Sequence, residues 1–309
     1  MDFFLTLQNV SVLFLLILVG YVVGKTNIIS KNGQRELSYL VLRVTMPATI
    51  ILALQLEYTR ERFFISLRIM FTIALAYMGM IVLSKLLSRL YKVNPGQRDV
   101  IEVASILPNT SFMGYPIVLS ILGREALFFA VLGAGLVFEV VSWTYGNLTI
   151  GRSLASDDRN ILRDIFLSPG ILSIGIGFAL FILSIRIPEP FRTTMGLLSN
   201  ATSPLAMIVV GILLSRSDLK ECILNGKLYT IGITKLLLFP LILLFVLKGL
   251  GFVGMGLIIP VIMLSMPTAT YVAIFSANGG NDTNLASQIV FIASLLSLVT
   301  IPLMVTLVS

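Results

Sequence analysis

Two prolines sit in the middle of apolar stretches, each followed by side chains that can hydrogen-bond. The first is Pro108 in LPNTSFMG (Leu107–Gly114), with Asn109, Thr110 and Ser111 behind it. The second is Pro267 in MPTATYVA (Met266–Ala273), with Thr268 and Thr270. A proline inside a helix lacks an N–H and clashes with the carbonyl four residues back. In hydrocarbon the freed backbone groups need partners, so the break must face protein or water. The half-helix that starts beyond it aims free N–H groups and the positive end of its dipole at the gap, which suits an anion. Either proline alone reads as a plain kink packed against neighbours. Two at matched positions, each with Ser, Thr or Asn beside it, favour one polar site made from both breaks. Pro47 and Pro204 have thinner polar company and read as kinks.

Two ionisable residues lie deep in apolar segments, Glu139 and Lys235. Charge inside a bilayer is costly and is usually paired or functional. Three readings stand open: the two pair with each other, Lys235 balances an anionic ligand, or Lys235 snorkels to the surface. Arg43 and Arg68 lie nearer segment ends and read as snorkelling, and Glu102 reads as solvated. The turn Gly279–Asn284 reads as a connection in which Asp282 or Thr283 caps the next helix; Asn278 and Asp282 could also meet a coupling cation. The chain holds no His and one cysteine, Cys222. Zinc sites, His-assisted catalysis and intrachain disulfides are therefore excluded, and no catalytic residue, metal site or cofactor is expected.

The elements that carry these residues are membrane helices. Of 309 residues 57% are hydrophobic and 12% charged, with a mean hydropathy of +0.98. Residues 3–24, 165–185, 193–215, 249–281 and 283–309 contain no Asp, Glu, Lys or Arg. About 20 apolar residues span a bilayer core, so each run is long enough. Ten segments follow, at about 3–24, 35–56, 64–90, 99–121, 125–149, 165–185, 193–215, 228–248, 253–277 and 284–307. The first reads as a retained helix rather than a cleaved leader, since no Lys or Arg precedes it. The net charge of +7 is spread over short loops, which suits lipid headgroups rather than nucleic acid. Thirteen loop Lys and Arg fall on one side and six on the other. That bias puts the thirteen in the cytoplasm and both termini outside.

The chain also reads as a repeat. Thr45, Pro47 and Ile51 in the second segment match Thr202, Pro204 and Ile208 in the seventh, and Pro108 matches Pro267. The division is residues 1–150 as a first repeat, 151–164 as a cytoplasmic linker and 165–309 as a second repeat. Each half has an odd number of helices, so the halves have opposite orientation, as in many transporters. The expected fold is thus all-α, an integral membrane bundle with broken fourth and ninth helices.

PNTSFMGYP (Pro108–Pro116), SPLAMIVVG (Ser203–Gly211), KLLLFP (Lys235–Pro240) and Asn278–Pro302 resemble, in order and spacing, the auxin efflux carrier family of malate or malonate permease-like proteins. The resemblance covers nearly the whole chain. It implies ten helices in a five-plus-five inverted repeat. The first, second, sixth and seventh would form a scaffold and a homodimer surface. The other six would form a mobile transport group that crosses at Pro108 and Pro267. It also implies a small organic anion as substrate, and the residues read above as its site are Pro108, Asn109, Thr110, Ser111, Pro267, Thr268 and Thr270 at the breaks, with Glu139 and Lys235. The plant members have a long cytosolic loop between the halves; this chain has a short one, which suits a bacterial permease of the plasma membrane. Competing expectations are a sodium-coupled symporter of the bile-acid carrier type and a membrane sensor without flux.

Overall fold

A computed structural model describes residues 3–153, 166–216 and 219–308. Among them every regular element is helical, and the single bridge between extended residues joins Pro108 to Thr268. The helices are α1 (Phe3–Lys25), α2 (Lys31–Ala53), α3 (Arg60–Ser88), α4 (Pro95–Ile106) and α5 (Thr110–Ile150). After the middle of the chain come α6 (Pro169–Ile182), α7 (Glu189–Ser215), α8 (Gly226–Gly249), α9 (Met255–Leu264), α10 (Tyr271–Asn278) and α11 (Thr283–Val308). A short helix, Leu219–Leu224, precedes α8. Six of these, α2, α3, α5, α7, α8 and α11, are long and apolar enough to cross a membrane. Other apolar stretches are shorter: Ser11–Lys25 within α1, α6 with 14 residues and α9 with 10, the fourth and ninth segments being split at their breaks. Large apolar side chains such as Leu15, Leu18, Phe71, Met78 and Val82 are exposed on α1 and α3, as expected where lipid is the solvent.

Local chemistry sets the boundaries. Ser30, Thr59, Asn94, Ser168 and Asn225 cap α2, α3, α4, α6 and α8 by accepting from a backbone N–H two or three residues on. These caps start α2 and α3 about one turn before the apolar run, because a capped first turn tolerates polar residues. The turn at Gly279–Asn281 has the bland chemistry expected of it. Asp282 Oδ1 accepts from Leu285 N at 2.9 Å, and its other oxygen accepts from Gln97 Nε2 at 2.9 Å, pinning α11 to the start of α4. Of the expected linker only Gly151–Ser153, a single 3-10 turn, lies within the described residues.

α5 is not straight. Gly123 has φ 80° and ψ −171°, a conformation open to glycine alone. Gly135 lies against the hydroxyl of Tyr115, whereas about 30 Å of continuous helix would separate them. The chain therefore folds back at Gly123 into two arms, where the sequence places a boundary between its fourth and fifth segments.

Three wide π-turns each end two residues before a proline: Val41–Thr45 before Pro47, Thr110–Gly114 before Pro116, and Thr234–Leu238 before Pro240. A proline clashes with the carbonyl four residues back, and that carbonyl lies inside the π-turn each time. The wider turn lets the helix pass the proline without breaking.

Packing joins the helices into two groups, which meet where α1 also packs on α11. α1 runs along α7, and α2 packs on α6 and α7. The crossing of α1 and α7 is close: a Cβ on Gly20 would strike the carbonyl of Ile208, and one on Gly211 the carbonyl of Ile17. Thr49 and Thr202 hydroxyls share a hydrogen bond of 2.8 Å where α2 and α7 approach, beside Pro47 and Pro204. The second group joins α3 to α4, α5 and α9, and α11 to α4, α8, α9 and α10.

Candidate functional site

The two breaks are bonded to each other. Asn109 N donates to the carbonyl of Pro267 at 2.6 Å, and Ala269 N donates to the carbonyl of Leu107 at 2.9 Å. Two extended peptides thus cross antiparallel between α4 and α5 on one side and α9 and α10 on the other. Thr268 Oγ1 donates to the carbonyl of Ala104 at 2.9 Å, satisfying a group at the end of α4. Asn109 carbonyl accepts from Gly114 N at 2.9 Å and so starts the first turn of α5. The backbone groups released by the prolines are therefore consumed by the crossing itself.

The side chains at the crossing are buried: Asn109, Thr110, Ser111, Thr268 and Thr270 are each at most 4% exposed. Two of their polar atoms have no hydrogen-bond partner, Asn109 Nδ2 and Thr270 Oγ1. Leaving such an atom unpaired costs about 1–3 kcal/mol, and the crossing carries one on each arm.

A cleft of about 530 Å³ leads to this point between α2 and α7 on one wall and α10 and α11 on the other. Lys31, Arg35 and Ser38 stand among its lining, and Thr270 and Phe112 line it beside the crossing. Its lining includes two cations and no carboxylate, which favours entry of an anion. A smaller cavity of about 260 Å³ adjoins it, sharing Tyr39, Leu42, Ile274 and Asn278. Glu139, Arg43, Trp143 and Tyr271 line the smaller one.

The two buried ionisable groups do not pair. Glu139 Oε2 accepts from Trp143 Nε1 at 3.1 Å, and Tyr271 also hydrogen-bonds it. Lys235 is fully buried and donates to the carbonyl of Leu264 at 3.1 Å, at the C-terminal end of α9. It does not snorkel, because the π-turn that holds it faces the bundle; instead it offsets the negative end of a half-helix. Arg43 and Arg68 are exposed, stacked over Tyr39 and Phe252 at 5.1 and 4.0 Å. Glu102, expected in water, is 4% exposed and accepts from the Tyr145 hydroxyl. The face it presents is set by α5 packing on α4, which its own helix does not encode.

Sequence reasoning missed Trp143, Tyr271 and the basic mouth at Lys31 and Arg35. A signal for Trp143 existed, since it lies one turn after Glu139 and an indole N–H is a donor only. Tyr271 and the mouth depend on how α2 and α10 face each other, which no local pattern carries.

A family model described as membrane transport protein matches residues 5–160 and 157–305. An uncharacterized transporter of Methanothermobacter thermautotrophicus is 26% identical over 302 residues, covering 96% of each chain. An uncharacterized transporter of Methanocaldococcus jannaschii is 28% identical over 302 residues, covering 95% of this chain and 96% of its own. A Rhizobium meliloti protein bearing the name "Putative malonate transporter" is 30% identical over 142 residues, which is 46% of this chain and 44% of that one. With the model matched almost end to end, the chain belongs to the membrane transport protein family, that of the auxin efflux carriers.

Proposed function

We propose that the protein is a secondary transporter moving a small organic anion, a mono- or dicarboxylate, across the cytoplasmic membrane by alternating access. The observation that carries this reading is the pair of unpartnered buried atoms at the crossing, Asn109 Nδ2 and Thr270 Oγ1. A carboxylate reaching them from the basic mouth would accept from both. Thr110 N is taken by the carbonyl of Pro108 at 2.8 Å, Ser111 follows in the first turn of α5, where N–H groups lack a helical partner, and Lys235 offsets the opposing end of α9. The N-terminal ends of α5 and α10 then dominate the local field, which is positive. Pro108, Pro267 and Thr268 build the crossing rather than touch the ligand.

The ten-segment, five-plus-five inverted arrangement belongs to the same proposal, with both termini outside the cytoplasm. So does a sliding movement of the α3–α5 and α8–α11 group against α1, α2, α6 and α7. A homodimer through those four helices rests on the family resemblance alone, since outward side chains such as Leu18, Val22, Ile176 and Leu197 suit lipid equally well. The name of the Rhizobium relative makes malonate the first probe. Purified protein in proteoliposomes is expected to take up labelled malonate or another short carboxylate, selected by thermal-shift screening. Stabilisation by a carboxylate with no flux in either direction would replace transport with sensing.

A further inference from the structure

We propose that Glu139 is a proton-binding site of the carrier, and that its protonation couples anion occupancy at the crossing to release of α5 from α6. This rests on the transport reading above and adds the coupling ion to it. Glu139 lies on the second arm of α5 and is 3% exposed. Its Oε1 is packed on Gly170, where a Cβ would come within 2.6 Å. Gly170 is in the first turn of α6, just after the Ser168 cap. The carboxylate therefore sits against the positive end of a helix from the other packing group, and the two attract while it is charged. Only glycine permits so close an approach at this position.

The chemistry of the pocket selects a proton over a metal ion. The groups aimed at the carboxylate, the Trp143 indole and the Tyr271 hydroxyl, are hydrogen-bond donors. A metal ion needs several oxygen acceptors instead. No group of three or more His, Cys, Asp or Glu suited to a metal occurs among the described residues. A proton needs one carboxylate oxygen and a route. The 260 Å³ cavity reaches Glu139 and also has exposed Arg43 in its lining. The other titratable groups around Glu139 are Tyr39 and Arg43 from α2, Tyr271 from α10, Tyr77 from α3 and Tyr115 from the first arm of α5. From α6 the cavity lining is Pro169 and Gly170, which do not titrate.

The link to the anion is short. Tyr271 holds Glu139 and directly follows Thr270 at the crossing. A carboxylate on Thr270 adds negative charge beside this pair, and Glu139 then takes up a proton from water in the cavity. Neutral Glu139 loses its attraction to the start of α6, and the clasp opens. The proton is bound to a carboxylate oxygen on one side of the membrane and returned to water on the other. One proton thus accompanies each anion.

Trp143 is the protein's single tryptophan and bonds directly to Glu139, so its fluorescence reads the site without any substrate. In lipid nanodiscs, emission of the wild type is expected to change in one step as pH is varied, and Glu139→Gln is expected to abolish the step. A flat wild-type response, or the same step in a folded Glu139→Gln protein, overturns the proposal. Should Glu139→Gln fail to fold, Gly170→Ala serves. It keeps the acid but crowds Oε1, so the pH of the step must move, and an unchanged step overturns the clasp. In vesicles loaded with a pH dye, malonate uptake is expected to acidify the interior in the wild type. Uptake that leaves internal pH unchanged overturns the coupling. Because the fluorescence step needs no substrate, it is decided apart from the transport reading.

Discussion

At the scale of single residues, burial and partnership separate side chains that look alike in sequence. Asn109 and Thr268 each follow a proline at the same point of a break. Thr268 spends its hydroxyl on the carbonyl of Ala104, whereas the Asn109 amide nitrogen has no partner. In the proposed reading, Asn109→Ala removes a donor to a charged ligand and little else. Binding of a carboxylate should weaken about 10–100-fold, the equivalent of about 1.5–3 kcal/mol, with the melting temperature nearly unchanged. Calorimetry and thermal denaturation on one preparation check both halves. Lys235 should behave in the opposite way. Lys235→Met keeps the volume but leaves the Leu264 carbonyl unpaired in the interior. Stability should fall by about 1–3 kcal/mol, read as a lower melting temperature. Combining it with Glu139→Gln should give additive losses to within about 0.5 kcal/mol, because the two side chains have separate partners. A strong coupling between them would contradict the geometry.

Helices carry most of what the sequence makes legible. Apolar runs located them, and the two mid-segment prolines marked the breaks that the structure joins. What stayed illegible depends on contacts between helices. Glu102 is charged and close to the expected start of the fourth apolar segment, yet Tyr145 from α5 covers it. The π-turns before Pro47, Pro116 and Pro240 have no residue signature of their own, since they are the helix's response to the proline. The glycines of α1 and α7 are similar: Gly20 and Gly211 read as ordinary small residues in apolar runs, and only the crossing gives them a role. A methyl on either would meet backbone, which cannot rotate away. Gly211→Ala should therefore force α1 from α7 and lower stability by about 1–3 kcal/mol. Gly175→Ala on α6, with open space around the position, is the matched control and should cost almost nothing. Melting curves of the two purified variants test the difference.

For the whole molecule, the issue is which contacts must break during a transport cycle. The crossing is held by two backbone hydrogen bonds in a buried setting, and opening it would leave four polar groups unpaired in a low-dielectric interior. Movement that keeps α4, α5, α9 and α10 together avoids that loss. The contacts left to slide are those of α1, α2, α6 and α7 against α5, α10 and α11, and the cleft and the smaller cavity lie among them. Leu42 on α2 and Ile274 on α10 line both spaces from opposite walls. A Leu42→Cys, Ile274→Cys pair bridged by a bifunctional reagent, in a Cys222→Ser background, should stop anion flux. The control stays inside one group: Leu54→Cys with Gly177→Cys joins α2 to α6, where a Cβ on Gly177 comes within 3.1 Å of the Cβ of Leu54, and flux should continue. Full flux through the verified Leu42–Ile274 link would mean that α2 and α10 do not move apart, and the sliding model would fall. Two groups that slide past each other need a lubricated wall rather than an interlocked one. That wall is mostly apolar here, and its one buried carboxylate is the residue assigned above to the proton.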